Sequence, residues 1–209
     1  MVKKKSKKKC NFYENIKNFN LKEQYKKSWV FIKDSKKFIY LVLVLFFVFV
    51  LIGFLMPAPA MVENKIMEFL KELLEKTKGM DCFEMIRFIF FNNIQSSFTG
   101  LIFGVVLGIF PLIATISNGY LLGFVGSMSV SELGIASLWK ILPHGIFELP
   151  AIFIALGMGI KLGSFVFYKE AFNKLNYFFK NSLRVFIFVV LPLLVIAGII
   201  EGFLICSGV

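Results

Sequence analysis

Three stretches, Phe38 to Met56, Ile94 to Ile116 and Val185 to Ile205, are mostly apolar, and Glu201 is the only charged residue in any of them. Each reaches the roughly 20 residues that a helix needs to cross bilayer hydrocarbon. Backbone amides find no water there, so the chain must satisfy them itself, and runs of this length do so as helices. The composition agrees: 57% of residues are hydrophobic, 27 are Phe, and the mean hydropathy is +0.76, far above that of a soluble domain. The expected fold class is all-α, a polytopic membrane helical bundle.

Two weaker segments complete the set. Gly119 to Leu138 is interrupted by Glu132, and Pro143 to Gly163 carries His144, Glu148 and, near its end, Lys161. Flanking charge decides whether they cross, because Lys and Arg near span ends are retained on the cytoplasmic side. Residues 1–37 hold 13 Lys against three acids, residues 57–93 are slightly acidic, and residues 161–184 carry a net charge of +4. Five crossings, at about 38–56, 94–116, 119–138, 143–163 and 185–205, place both basic regions inside and the amino terminus in the cytoplasm. Residues 1–37 then form a basic cytoplasmic segment with an interfacial helix, and 38–209 the transmembrane domain. The small residues of Met56-Pro57-Ala58-Pro59-Ala60 resemble a cleavage site, but the charged lead and long apolar run suit an uncleaved anchor better. Cys82 and Cys206 fall on the same outer side, and their pairing is left open.

Between the first two spans, Val62, Ile66, Phe69, Leu70 and Leu73 recur at helical spacing, with Glu72 and Lys76 four apart. This predicts an external amphipathic helix over about 61–78. Its apolar face suits lipid, the bundle or an extracellular partner. Phe165, Phe167, Phe172, Tyr177 and Phe178 among the lysines of 161–184 predict a second interfacial helix. The lysine run Lys3 to Lys9 reads as a topology signal that also attracts anionic headgroups, so membrane lipid is a partner and nucleic acid is not.

Small residues step by four along three spans: Ser96, Gly100, Gly104 and Gly108; Gly119, Gly123, Ser127 and Ser131; Ala151, Ala155, Gly159 and Gly163. Such tracks let helix backbones approach closely in lipid. They predict a tight core of spans two, three and four, with the first and fifth spans nearer lipid. Pro143 is expected in the first turn of the fourth helix, Pro150 and Pro111 are expected to kink theirs, and Ser117-Asn118-Gly119 is expected to make a tight cytoplasmic turn.

His144 and Glu148 lie on the stripe of Ala151, Ala155 and Gly159, which turns the carboxylate into the protein. Ionisable groups in a membrane mark functional or structural sites, and Asn93 and Asn118 are the amides expected to join this polar site. A structural hydrogen-bond role for Glu148 is the leading alternative. Chemistry is disfavoured: a metal site normally needs three or four ligands while the chain has one histidine, no His-Glu-x-x-His pattern occurs, and no metal, cofactor or catalytic residue is expected.

Phe91-Asn92-Asn93, the track Gly100 to Gly108, Asn118-Gly119 with Leu122-Gly123, and Pro143-His144-Gly145 with Glu148-Leu149, Gly157 and Gly159 resemble the stage II sporulation protein M family of multi-pass membrane proteins over about residues 85–205. The resemblance implies a non-enzymatic membrane anchor in a prokaryotic cell membrane; the namesake recruits two peptidoglycan hydrolases outside the cell during engulfment. It also implies that Asn93, Asn118, Gly119, His144, Gly145 and Glu148 are the positions that matter. Two functions follow for weighing. One is a scaffold that binds proteins through its outer loop 57–91 or its cytoplasmic flanks. The other is a small transporter or channel subunit whose path passes Glu148 and His144, which requires a homo-oligomer.

Overall fold

The computed structural model describes residues 20–56 and 58–206, with the side chains of all of these except 139–147 and 205. Among the described residues the chain is helical throughout, without strands. Helix α1, Leu21–Asp34, starts at Asn20, whose side chain accepts from the Lys22 and Glu23 amides. Helix α2, Lys36–Leu55, is the first apolar stretch, and it ends at Met56, where the Pro57 and Pro59 rings prevent continuation. Helix α3, Ala60–Thr77, is the amphipathic segment, and no residue in it is buried.

Helix α4, Cys82–Phe103, begins with a capping box in which the Glu84 amide donates to Asp81 at 2.8 Å and the Asp81 amide donates back to Glu84. It stops at Gly104, and the chain reverses through Gly104–Gly108 with Leu107 and Gly108 both left-handed (φ 53° and 71°). Helix α5, Ile109–Leu133, follows. After a short turn at Ile135–Ser137 comes α6, Leu138–Gly163, and then α7, Ala171–Val185. Five residues of wider π-type winding, Phe186–Val190, lead directly into α8, Leu191–Cys206. The winding widens just before Pro192, whose ring has no N–H and crowds the carbonyl of residue 188.

Several expectations are corrected here. The turn between the second and third long helices is at Gly104–Gly108, not at Ser117-Asn118-Gly119, which lies inside α5. Pro111 therefore occupies the first turn of a helix, where its missing N–H has no helical partner to lose, rather than kinking one. Helix α6 begins at Leu138, so Pro143 sits beyond its first turn, and the helix runs unbroken through Pro150.

Glycines report the packing. A Cβ on Gly104 would strike the Gly159 backbone, one on Gly159 would stand 2.6 Å from the Gly100 carbonyl oxygen, and one on Gly163 would strike Gly104 and Gly108. These contacts align α4 and α6 in the same direction at backbone contact. Gly198 and Gly202 of α8 meet Phe90 and Ile86 of α4, so α8 runs antiparallel to it. The glycines of α5 face elsewhere: Gly119 meets the Phe46 carbonyl and Gly123 the Val50 carbonyl, both of α2, and Gly53 of α2 meets Tyr120.

The core thus differs from the expected trio. Helices α4, α6 and α8 form it, around Leu101, Ala151, Ala155, Met158, Leu162, Val190 and Leu194. The fifth apolar stretch is inside because Gly198 and Gly202 give it a flat face. The first stretch pairs with α5 along the second glycine track and reaches α6 through Val42, Phe46, Phe153 and Leu156. Phe46 and Phe153 meet edge to face at 5.0 Å.

Among the described residues, four helical segments are long and apolar enough to cross a membrane: Lys36–Leu55, Ile109–Leu133, Glu148–Phe167 and the continuous Ala171–Leu204. Helix α4 is not among them, because Asn92, Asn93, Gln95, Ser96, Ser97 and Thr99 dilute its apolar content.

Candidate functional site

The two ends of the bundle differ chemically. At one end Cys82, the first residue of α4, is joined to Cys206, the last of α8, by a disulfide with the Cα atoms 5.7 Å apart. Residues 82 and 206 are thereby neighbours, which the sequence left open. At the other end lie α1, α7 and the carboxyl-terminal part of α6. There Lys161, only 6% exposed, donates to the Ser35 hydroxyl at 2.8 Å, and its ammonium sits 3.9 Å from the centre of the Phe31 ring and 5.5 Å from that of Phe178. A lysine withdrawn from water needs such partners, and here they tie α6 to the α1–α2 joint and to α7. Arg184 of α7 adds a hydrogen bond of 2.8 Å to Gln24 of α1.

Glu148 lies on α6 toward the disulfide end and is half-buried. Glu201 of α8, 9% exposed, stands near enough for the two carboxylates to interact repulsively. The sequence marked Glu148 by its stripe but missed Glu201 as its neighbour. The available signal was that Glu201 is the one charge in the last apolar stretch; what was missing was the α6–α8 contact. Asn93 of α4 is half-buried, and because Gly100 meets Leu156 in parallel helices, Asn93 is level with Leu149, beside Glu148. Asn118 does not join them: it is exposed on the outer face of α5. His144 and Gly145 belong to α6, but they fall within residues 139–147, whose side chains lie outside the described residues.

The packing positions divide in two. Gly100, Gly104, Gly108, Ala151, Ala155 and Gly159 lie along the α4–α6 seam or inside the core beside it, while Gly119 and Gly123 serve the α2–α5 seam. No group of three His, Cys, Asp or Glu side chains positioned for a metal ion occurs among the described residues.

The family model described as stage II sporulation protein M matches residues 42–204, from the middle of α2 almost to the end of α8. The chain belongs to this family. An uncharacterized protein of Methanocaldococcus jannaschii is 32% identical over 138 residues, which is 63% of this chain and 60% of that protein. The chain thus spans less than two thirds of the length of that relative. No solved structure matches. Family membership and the apolar helices identify a multi-pass membrane protein.

Proposed function

We propose that this family member is a five-crossing, non-enzymatic scaffold of a prokaryotic cell membrane that organises partner proteins on its outer side. Helix α4 is counted as the fifth crossing because it lies alongside α6 and α8 over most of its length, at the same height as two segments apolar enough to span. The orientation rests on two separated chemistries: disulfides persist in oxidising compartments, whereas Lys and Arg flanks are retained inside. On that reading the Cys82–Cys206 end faces outward and α1, α7 and the lysine-rich amino-terminal segment face the cytoplasm and its anionic lipid headgroups.

The observation that carries the scaffold role is α3. It is an 18-residue amphipathic helix at the disulfide end with Val62, Phe69 and Leu74 exposed at 38%, 49% and 68%, no buried residue, and a Glu72–Lys76 pair at 2.8 Å on its polar side. A helix whose apolar side is left largely exposed suits docking to another surface. Affinity capture of the full chain from its native membrane should recover a discrete partner that is lost on deleting residues 61–78. Capture that is indifferent to the deletion would refute the assignment to α3.

A second reading, a transporter or channel subunit, is favoured by one observation: two carboxylates, half-buried Glu148 and largely buried Glu201, lie on the packed helices α6 and α8. Ion flux in liposomes that disappears in Glu148→Gln supports it; flux unchanged by Glu148→Gln and Glu201→Gln removes it.

A further inference from the structure

Helix α4 carries polar side chains on the wrong side for a helix packed only within its own chain. Asn92, Gln95, Ser96 and Thr99 are all exposed, and the side chain of none of them hydrogen-bonds another described residue. At 100° per residue, Glu84, Asn92, Gln95 and Thr99 fall within about 80° of one another, a single stripe down the helix. Phe103 and Phe110 close its lower end with rings 5.4 Å apart, at the turn into α5. The stripe lines two adjoining cavities, about 320 Å³ beside Ser96, Thr99 and Phe110 and about 440 Å³ beside Glu84, Arg87 and Phe91, which share Asn92 and Gln95. Eight residues back from Phe103 and eight forward from Phe110 lie Gln95 and Asn118, each about 12 Å from the aromatic pair. The exposed amide of Asn118 is therefore level with that of Gln95 across the α4–α5 hairpin.

If α4 crosses the bilayer, as the five-crossing reading on which this inference rests has it, these groups face hydrocarbon, which offers them neither donor nor acceptor. We propose that this stripe is the contact between two copies of the chain, related by a two-fold axis along the membrane normal. Copies of a membrane protein share one orientation, so such an axis brings α4 against a parallel α4 with identical residues at identical heights. A carboxamide both donates and accepts, so Asn92 and Gln95 pair with themselves across the axis, which a lipid cannot match. At the outer rim the stripe ends at Glu84, and Arg87 stands about 60° around the helix from it, bordering the stripe. The ring of Phe91, 56% exposed and 5.8 Å from the Arg87 guanidinium, flanks this rim.

The test is subunit-exchange energy transfer between donor- and acceptor-tagged full-length chains in liposomes, with light-scattering mass in mild detergent beside it. Wild type should be dimeric. Asn92→Leu combined with Gln95→Leu should raise the dimer dissociation constant at least about tenfold, while the Cys82–Cys206 disulfide, read by gel mobility, reports that the monomer still folds. A monomeric wild type, or a dimer unmoved by the two leucines, overturns the assignment, as does a complex with a different protein that uses the same stripe. Gln95→Cys in a Cys10→Ser background separates the layers of the argument. Reaction of that thiol with a membrane-impermeant reagent sinks the five-crossing reading and the seam with it, whereas protection alongside a monomeric wild type sinks the seam alone.

Discussion

Single residues set how closely these helices approach. A methyl group on Gly159 would stand 2.6 Å from the Gly100 carbonyl and 3.2 Å from the Leu101 Cα, both backbone atoms that cannot move aside. Gly159→Ala should therefore lower the thermal midpoint in detergent, by an amount corresponding to about 1–3 kcal/mol. Gly126→Ala is the contrast, because its nearest neighbours are side-chain atoms at 3.5 Å or more, and its midpoint should stay unchanged or rise. Lys161 makes a second test. Ser35→Ala leaves the buried ammonium short of its hydroxyl acceptor and should cost about 1–3 kcal/mol, measured in the same melt. Lys161→Met added to Ser35→Ala should recover much of that loss, since an apolar chain under the Phe31 ring needs no acceptor.

Elements follow from both local signals and partners, and only the former are legible in a sequence. The ends of α2 and α3 were readable from Pro57 and Pro59 and from the spacing of Val62, Ile66 and Phe69. The reversal between α4 and α5 was not. Ser117-Asn118-Gly119 has the residues of a turn, but Gly119 is spent on close approach to Phe46 of α2, a contact no local rule announces. The chain turns where Leu107 and Gly108 both take left-handed conformations. Leu107 is largely exposed, so its side chain packs little, while its backbone carries the strain of a left-handed non-glycine residue. Leu107→Gly should raise the thermal midpoint, by the equivalent of about 1 kcal/mol, despite placing a third glycine in the turn. For the same reason the polar site was half legible: the stripe placed Glu148 from one helix alone, whereas Glu201 needed the packing of two.

At the scale of the whole molecule the bundle is two seams joined edge to edge, α4–α6–α8 and α2–α5, with opposite chemistry at its ends. That polarity has a direct chemical readout. Of the three cysteines, Cys82 and Cys206 are joined, so a denatured, unreduced sample should take up one alkylating group, at Cys10, and a reduced one three, as counted by intact mass. Uptake of three without reductant would place the α4–α8 end in a reducing compartment and reverse the proposed orientation. The same bond makes residues 82–206 a covalent ring, while α2 is held to that ring by packing and by the chain that follows it. A protease that cuts once at 104–108, 134–137 or 164–170 therefore leaves a particle of undiminished mass until a thiol is added. A single cut at 78–81 yields a free amino-terminal piece as soon as the helices are dissolved apart.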